Sequence, residues 1–144
     1  MILLTIVTLL KILSMKNFER ADFDKHFDAL GIKSKSNIVI HSRLLSFGLC
    51  KPATIVESIL EKIGSSGTLA VPTYVFDLET PFDRNLSEPT RMGAVSIELW
   101  KNTGSIRSAC PVHSHAAFGL SAQGLTKTKA SSSFGLGTDF DFFY

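Results

Sequence analysis

Four short segments of the 144-residue chain carry side chains able to do chemistry. His41-Ser42-Arg43 directly follows a run that reads as a strand. Beyond the carboxyl end of a strand in an open α/β sheet, side chains are placed to touch a ligand. The plainer alternative is that His41 and Ser42 only satisfy loop backbone. Pro72-Thr73-Tyr74 repeats the arrangement after a second strand, either lining the same edge or forming an ordinary exit with a packed Tyr74. His113-Ser114-His115 sets two imidazoles at i, i+2, on one face of an extended chain, where a metal could be imagined. No carboxylate or thiol except Cys110 supports one at ligand spacing, so no metal is expected; one imidazole should face a pocket while the other packs. Ser131-Ser-Ser-Phe-Gly-Leu-Gly-Thr138 could offer backbone N–H groups to a phosphate. It lacks the lysine of a P-loop and the glycine spacing of a dinucleotide fingerprint, and a flexible connection is the simpler reading. A Ser-His-Asp hydrolase is disfavoured, because there is no Gly-x-Ser-x-Gly elbow and Ser42 stands between His41 and Arg43.

The elements that must position these groups follow from periodicity. Asp22 can cap a short helix whose apolar stripe is Phe23, Phe27 and Leu30, ended by Gly31. Asn37 to Ile40 reads as a buried strand. A helix is predicted from about Pro52 to Thr54, with Thr54 and Glu57 at capping-box spacing and Ile55, Ile59, Leu60 and Ile63 on one face. Gly64 to Gly67 stops it, and Thr68 to Val71 is the next strand. The segment from Pro72 to Met92 has no periodicity, and so long a stretch in a compact domain is more often functional than passive. A further helix spans about Gly93 to Lys101. Strand pieces are expected at Ser105 to Ser108 and Ala116 to Leu120, then one more helix from Ser121. Helix and strand alternating with short links imply an α/β fold, with a parallel or mixed sheet flanked by helices.

Composition bounds the function. The chain is 44% hydrophobic and 19% charged, with a net charge of +2, ample for one core and unlike a disordered segment. No tract of Lys or Arg forms a nucleic-acid footprint, and no nucleic-acid partner is expected. Two cysteines, Cys50 and Cys110, suit free thiols in a reducing cytoplasm. Met1 to Leu13 is apolar but too short to span a bilayer as a helix, and it lacks the basic start and cleavage site of a signal peptide. It reads as an interfacial anchor, a packed helix, or sequence preceding a start at Met15. The chain thus divides into an apolar extension, residues 1–16, and a domain, residues 17–144. Its last residues, Asp139-Phe-Asp-Phe-Phe-Tyr144, make an abrupt apolar finish where polar, frayed sequence is the rule.

Taken in order, the segments resemble the aminoglycoside 3-N-acetyltransferase family. The matching pieces are Leu30-Gly31-Ile32, Ile38-Val-Ile-His-Ser42 with Ser46-Phe47-Gly48, and Gly67-Thr-Leu-Ala-Val-Pro-Thr-Tyr74. Phe82-Asp83, Arg91-Met92-Gly93-Ala94, Arg107-Ser108, Pro111-Val-His-Ser114 with Ala117-Phe118-Gly119, and Ser133-Phe134-Gly135 complete the series over roughly residues 28–144. The resemblance implies transfer of the acetyl group of acetyl-CoA, a co-substrate, to a small-molecule amine such as an aminoglycoside or amino sugar. It implies that His41, Ser42, Thr73, His113 and Ser114 line the coenzyme cleft, with Gly135 in a loop near it. Cys110 replaces a histidine found in many members. The family's catalytic histidine lies in an Asn/Thr-rich segment beyond the aromatic run, and no residue of this chain matches it. The expectation is therefore an incomplete acetyltransferase domain that does not catalyse alone. The alternative is a binding or interaction module that keeps the coenzyme-side fold.

Overall fold

The computed structural model describes residues 18–44 and 50–143. The apolar segment Met1 to Leu13 and the Ser46-Phe47-Gly48 piece lie outside these residues. Among the described residues no helix is long and apolar enough to cross a membrane.

The elements run α1 (Arg20–Ala29), β1 (Asn37–Val39), α2 (Pro52–Ile63), β2 (Thr68–Pro72), α3 (Ala94–Lys101), β3 (Ile106–Arg107), β4 (His115–Gly119), a 3-10 helix (Ala122–Lys127) and α4 (Asp139–Phe143). The sheet order is β1-β2-β4-β3. β1 and β2 are parallel, as the α/β alternation requires, whereas β4 lies antiparallel to both β2 and β3. The sheet is mixed because β3 and β4 are joined by a short link. A hairpin can turn back within a few residues, whereas a parallel return needs a crossover of a dozen or more.

Three boundaries differ from the local signals. Asp22 is not the cap of α1: Glu19 is, and its backbone N–H donates to the Asp22 carboxylate at 3.1 Å. Thr54 does not cap α2, because Pro52 already opens that helix with Lys51 at the cap. Proline favours the first helical position, where its missing N–H costs nothing. The segment after Ser121 winds as a 3-10 helix with Ala122 and Leu125 buried.

The core lies between the helices and one face of the sheet. Ile55, Val56, Ile59 and Ile63 of α2, Leu69 and Val71 of β2, and Val95 and Leu99 of α3 are buried together with Phe23 and Phe27 of α1. β2 is buried along its whole length, so it reads as a continuous apolar run and not as an alternating one. A second, smaller cluster on the opposite face joins Ala70, Ala117, Ala122 and Leu125. The sheet is thus covered on both faces, and the ends of its strands are where polar groups gather.

Candidate functional site

The chain leaves β1 at Ile40 and enters His41-Ser42-Arg43. The next strand exit, from β2, delivers Thr73 and Tyr74. β3 ends at Arg107-Ser108 and β4 begins at His115, preceded by His113-Ser114. Since β4 runs antiparallel, its start meets the end of β2: Pro72 pairs with His115, and the Thr73 N–H donates to the Ser114 carbonyl at 2.8 Å. Four chain segments are brought to one edge by this register.

Thr73 and Ser114 are fully buried. The Thr73 hydroxyl donates to Ser114 Oγ at 3.2 Å, and the Ser114 hydroxyl donates to the Thr73 carbonyl at 2.6 Å. Arg107 is buried beside them and ties the edge together. Its Nε donates to Ser114 Oγ at 3.1 Å, and its terminal nitrogens donate to the carbonyls of Thr73, Ser87 and Arg84. The guanidinium also lies over the Phe82 and Trp100 rings, 4.9 and 5.6 Å from their centroids. Burial lowers its pKa to about 10. This one side chain holds the irregular 82–88 loop to the sheet, and Asp83 shapes that loop by accepting from the N–H groups of Asn85 (2.7 Å) and Leu86 (3.0 Å).

A ring cluster runs across the same edge. Tyr74 meets His113 at 4.9 Å and His115 at 5.5 Å between centroids, and His115 meets His41 at 6.4 Å. Phe134 packs on His113 at 5.3 Å, and Phe140 lies against both histidines. Gly135 follows Phe134 in an exposed stretch with φ of +98°, a conformation that favours glycine, and a Cβ there would meet nothing within 4 Å. The loop therefore stands open beside His113. His41 is exposed, whereas His115 is fully buried and His113 is half-buried. Burial, and then the neighbouring His115, hold the His41 pKa below the ordinary value. His41 and Ser42 also line a hollow of about 670 Å³, together with Phe18, Phe23, Ile38 and Ile40. Gly93, which caps α3, comes so close that a Cβ would stand 2.7 Å from the Ser42 carbonyl.

All six residues named from the sequence thus fall in or next to one edge. His41 and Ser42 are accessible, Gly135 is in the open loop, and Thr73, Ser114 and His113 form the frame. Three further residues join them: Arg107, His115 and Asp139. His115 Nδ1 is 3.2 Å from Asp139 Oδ2, with both side chains buried. The i, i+2 spacing of His113 and His115 singled out His115, and both rings pack here. The resemblance singled out Arg107. Nothing local marked Asp139, whose partner lies 24 residues away. Among the described residues, no three His, Cys, Asp or Glu side chains group as a metal site.

The family model for aminoglycoside 3-N-acetyltransferase matches residues 39–140. The chain superposes on the crystal structure of aminoglycoside acetyltransferase AAC(3)-Xa with a TM-score of 0.83 and 23% identity, over 94% of this chain and 55% of that one. AAC-IIIb in binary complex with CoASH gives a TM-score of 0.79 at 22% identity, over 88% and 56%. The apoenzyme of AAC(3)-IVa gives 0.71 at 26% identity, over 79% and 45%. The chain spans about half the length of these solved structures.

Proposed function

The chain belongs to the aminoglycoside 3-N-acetyltransferase family, and from that premise we propose that it carries the acetyl-CoA side of an amine N-acetyltransferase. The acceptor is a small-molecule amine of the aminoglycoside or amino-sugar class. One observation carries the reading: the family's separate motif segments, at residues 41–42, 73–74, 107–108, 113–114 and 133–135, converge on a single strand-end edge. His41 and Ser42 present the accessible polar groups, and the open loop around Gly135 lies beside His113. Thr73, Ser114 and Arg107 fix the backbone that frames the cleft.

Two observations on neighbours support the assignment. AAC-IIIb is solved with CoASH, and AAC-VIa is solved bound to sisomicin. An acetyl-CoA site fits the residues present, since an edge with accessible imidazole and hydroxyl groups at His41 and Ser42 borders an apolar hollow. The coenzyme supplies the acetyl thioester. The protein has to orient it, exclude water, and take the proton that the amine loses on attack. A cytoplasmic setting is part of the same reading, as acetyl-CoA and free thiols at Cys50 and Cys110 suit it.

Calorimetry of the purified chain with acetyl-CoA tests the coenzyme side, and binding at micromolar to millimolar strength is expected. Absence of heat at any concentration would remove the assignment. Adding an amino sugar and following thiol release then separates an enzyme from the second reading, a non-catalytic module on the same fold.

A further inference from the structure

The sheet has one uncovered side. Among the described residues β1 pairs only with β2, from Asn37 opposite Thr68 to Val39 opposite Ala70, and its other edge has no strand beside it. An open edge is a template for pairing with another chain, and natural proteins cover such edges with a helix or loop. The hollow of about 670 Å³ lies at this edge. The consecutive residues Ile38, Val39 and Ile40 all line it. Successive strand side chains point to opposite faces, so the hollow reaches the edge itself and not one face alone. Phe23 and Phe27 of α1 and Ile59 of α2 line it as well, and its polar lining is confined to His26, His41 and Ser42. Phe18, Ile32, Ile38 and Ile40 pack on the core yet stay only part-buried, and Leu30 is 75% exposed. Protein interiors hold few voids larger than a water molecule, and an apolar hollow of this size marks a binding surface.

The described chain begins at this hollow, because Phe18 is its first residue and lines it. Upstream stand residues 2–13, apolar at every position except Thr5, Thr8 and Lys11. Those three recur at i, i+3 and i+6, so a helix would gather them in one narrow stripe and leave the rest of its surface apolar. A helix lying on a membrane surface has a strongly charged face rich in Lys and Arg, and one lysine does not make such a face. A helix apolar nearly all round suits enclosure by protein. The lengths agree. Residues 2–13 wound as a helix extend about 18 Å, and the link from Leu13 to Phe18 reaches about 17 Å at most. Covalent attachment thus holds the segment next to the hollow at a roughly millimolar effective concentration, without need of another partner.

We propose that residues 2–13 pack as a helix in this hollow, against α1 and along the open edge of β1, with Thr5, Thr8 and Lys11 turned to solvent. Of the three readings open to this apolar segment, the packed helix is the one the hollow selects. The proposal goes beyond the acetyl-transfer reading and stands without it, since it needs no coenzyme. His41 and Ser42, which also line the hollow, then stand beside an apolar wall.

Nuclear Overhauser spectra of the full, unmodified chain test the contact. Methyl signals of residues 2–13 should give cross-peaks to the Phe23 and Phe27 rings and to Ile38. The same cross-peaks should be missing from isotope-filtered spectra of mixed labelled and unlabelled chains. In a full chain carrying Leu9→Asp and Leu10→Asp, both outside the polar stripe, amide exchange in α1 and β1 should rise about tenfold or more. Exchange in β4 should stay within a few fold. Lack of cross-peaks in the unmodified chain overturns the proposal, whether or not the double variant folds. Unchanged exchange in a folded double variant overturns it too. Cross-peaks found only between labelled and unlabelled chains assign the hollow to a second copy and overturn it. Flotation of the full chain with phosphatidylglycerol vesicles, lost in the double variant, overturns it in favour of a membrane anchor.

Discussion

Between α2, α3 and the sheet, Ile59, Ile63, Leu69 and Leu99 are fully buried and wholly apolar. At the strand ends, Ser108, Ser114, His115 and Asp139 are buried just as deeply and are all polar. The first region is held by non-directional burial, to which each methylene contributes a similar small amount. The second is held by directed bonds in which one atom serves several partners. Asp139 Oδ2 accepts three donors and the Arg107 guanidinium reaches four acceptors. Damage in the core should therefore be large but local. Damage at the edge should be smaller in stability and wider in its effect on the site.

The largest expected effect is in the core. Ile59→Ala should cost about 3 to 4 kcal/mol in urea unfolding, because its neighbours in α1 and β2 cannot collapse into the space. The His115 NMR signals should hardly move, and if they did the two regions would not be separable. Arg107→Lys comes next, at about 2 kcal/mol, since an ammonium cannot reproduce a fork that bonds Thr73, Arg84, Ser87 and Ser114. Acetyl-CoA affinity should fall with it, measured by calorimetry, as the 82–88 loop loses its tie to the sheet. A loss of stability with unchanged affinity would confine Arg107 to the scaffold. The smallest effect is the pH response of His41. Its folded pKa lies below 6.5, so the unfolded chain takes up the proton first. Stability present above about pH 6.5 is lost as pH falls through the lowered folded value. A thermal midpoint followed from about pH 8 to about pH 5 should decline, and less steeply in His41→Gln.

Much of this architecture was legible because it depends on neighbours in sequence. The stripe Ile55, Ile59, Ile63 and the run Thr68 to Val71 found α2 and β2, since burial on one face or both leaves a periodic trace. The caps of α1 and α2 were less legible, as Glu19 and Lys51 carry weaker signals than the Asp22 and Thr54 that stand near them. The strand-end groups were found as types but not as partners. Ser114 could be singled out as a hydroxyl, yet its bonds to Thr73 and Arg107 depend on the antiparallel insertion of β4. In sequence Asp139 is only part of an aromatic run, because the histidine that explains it arrives through the tertiary fold. Long-range polar pairs leave no periodic mark.

The insertion of β4 between β2 and β3 also bears on how the chain reaches this state. β1, α2 and β2 are close in sequence and can associate early, whereas the register that joins Thr68 to Gly119 closes a long loop. Such pairings slow folding, since the closure entropy is lost before the contacts form. Until β4 docks, β2 presents an apolar strand with one unpaired edge, a template for pairing with another chain. Refolding yield should fall with protein concentration, and the strand-end cluster should be the last part of the molecule to assemble.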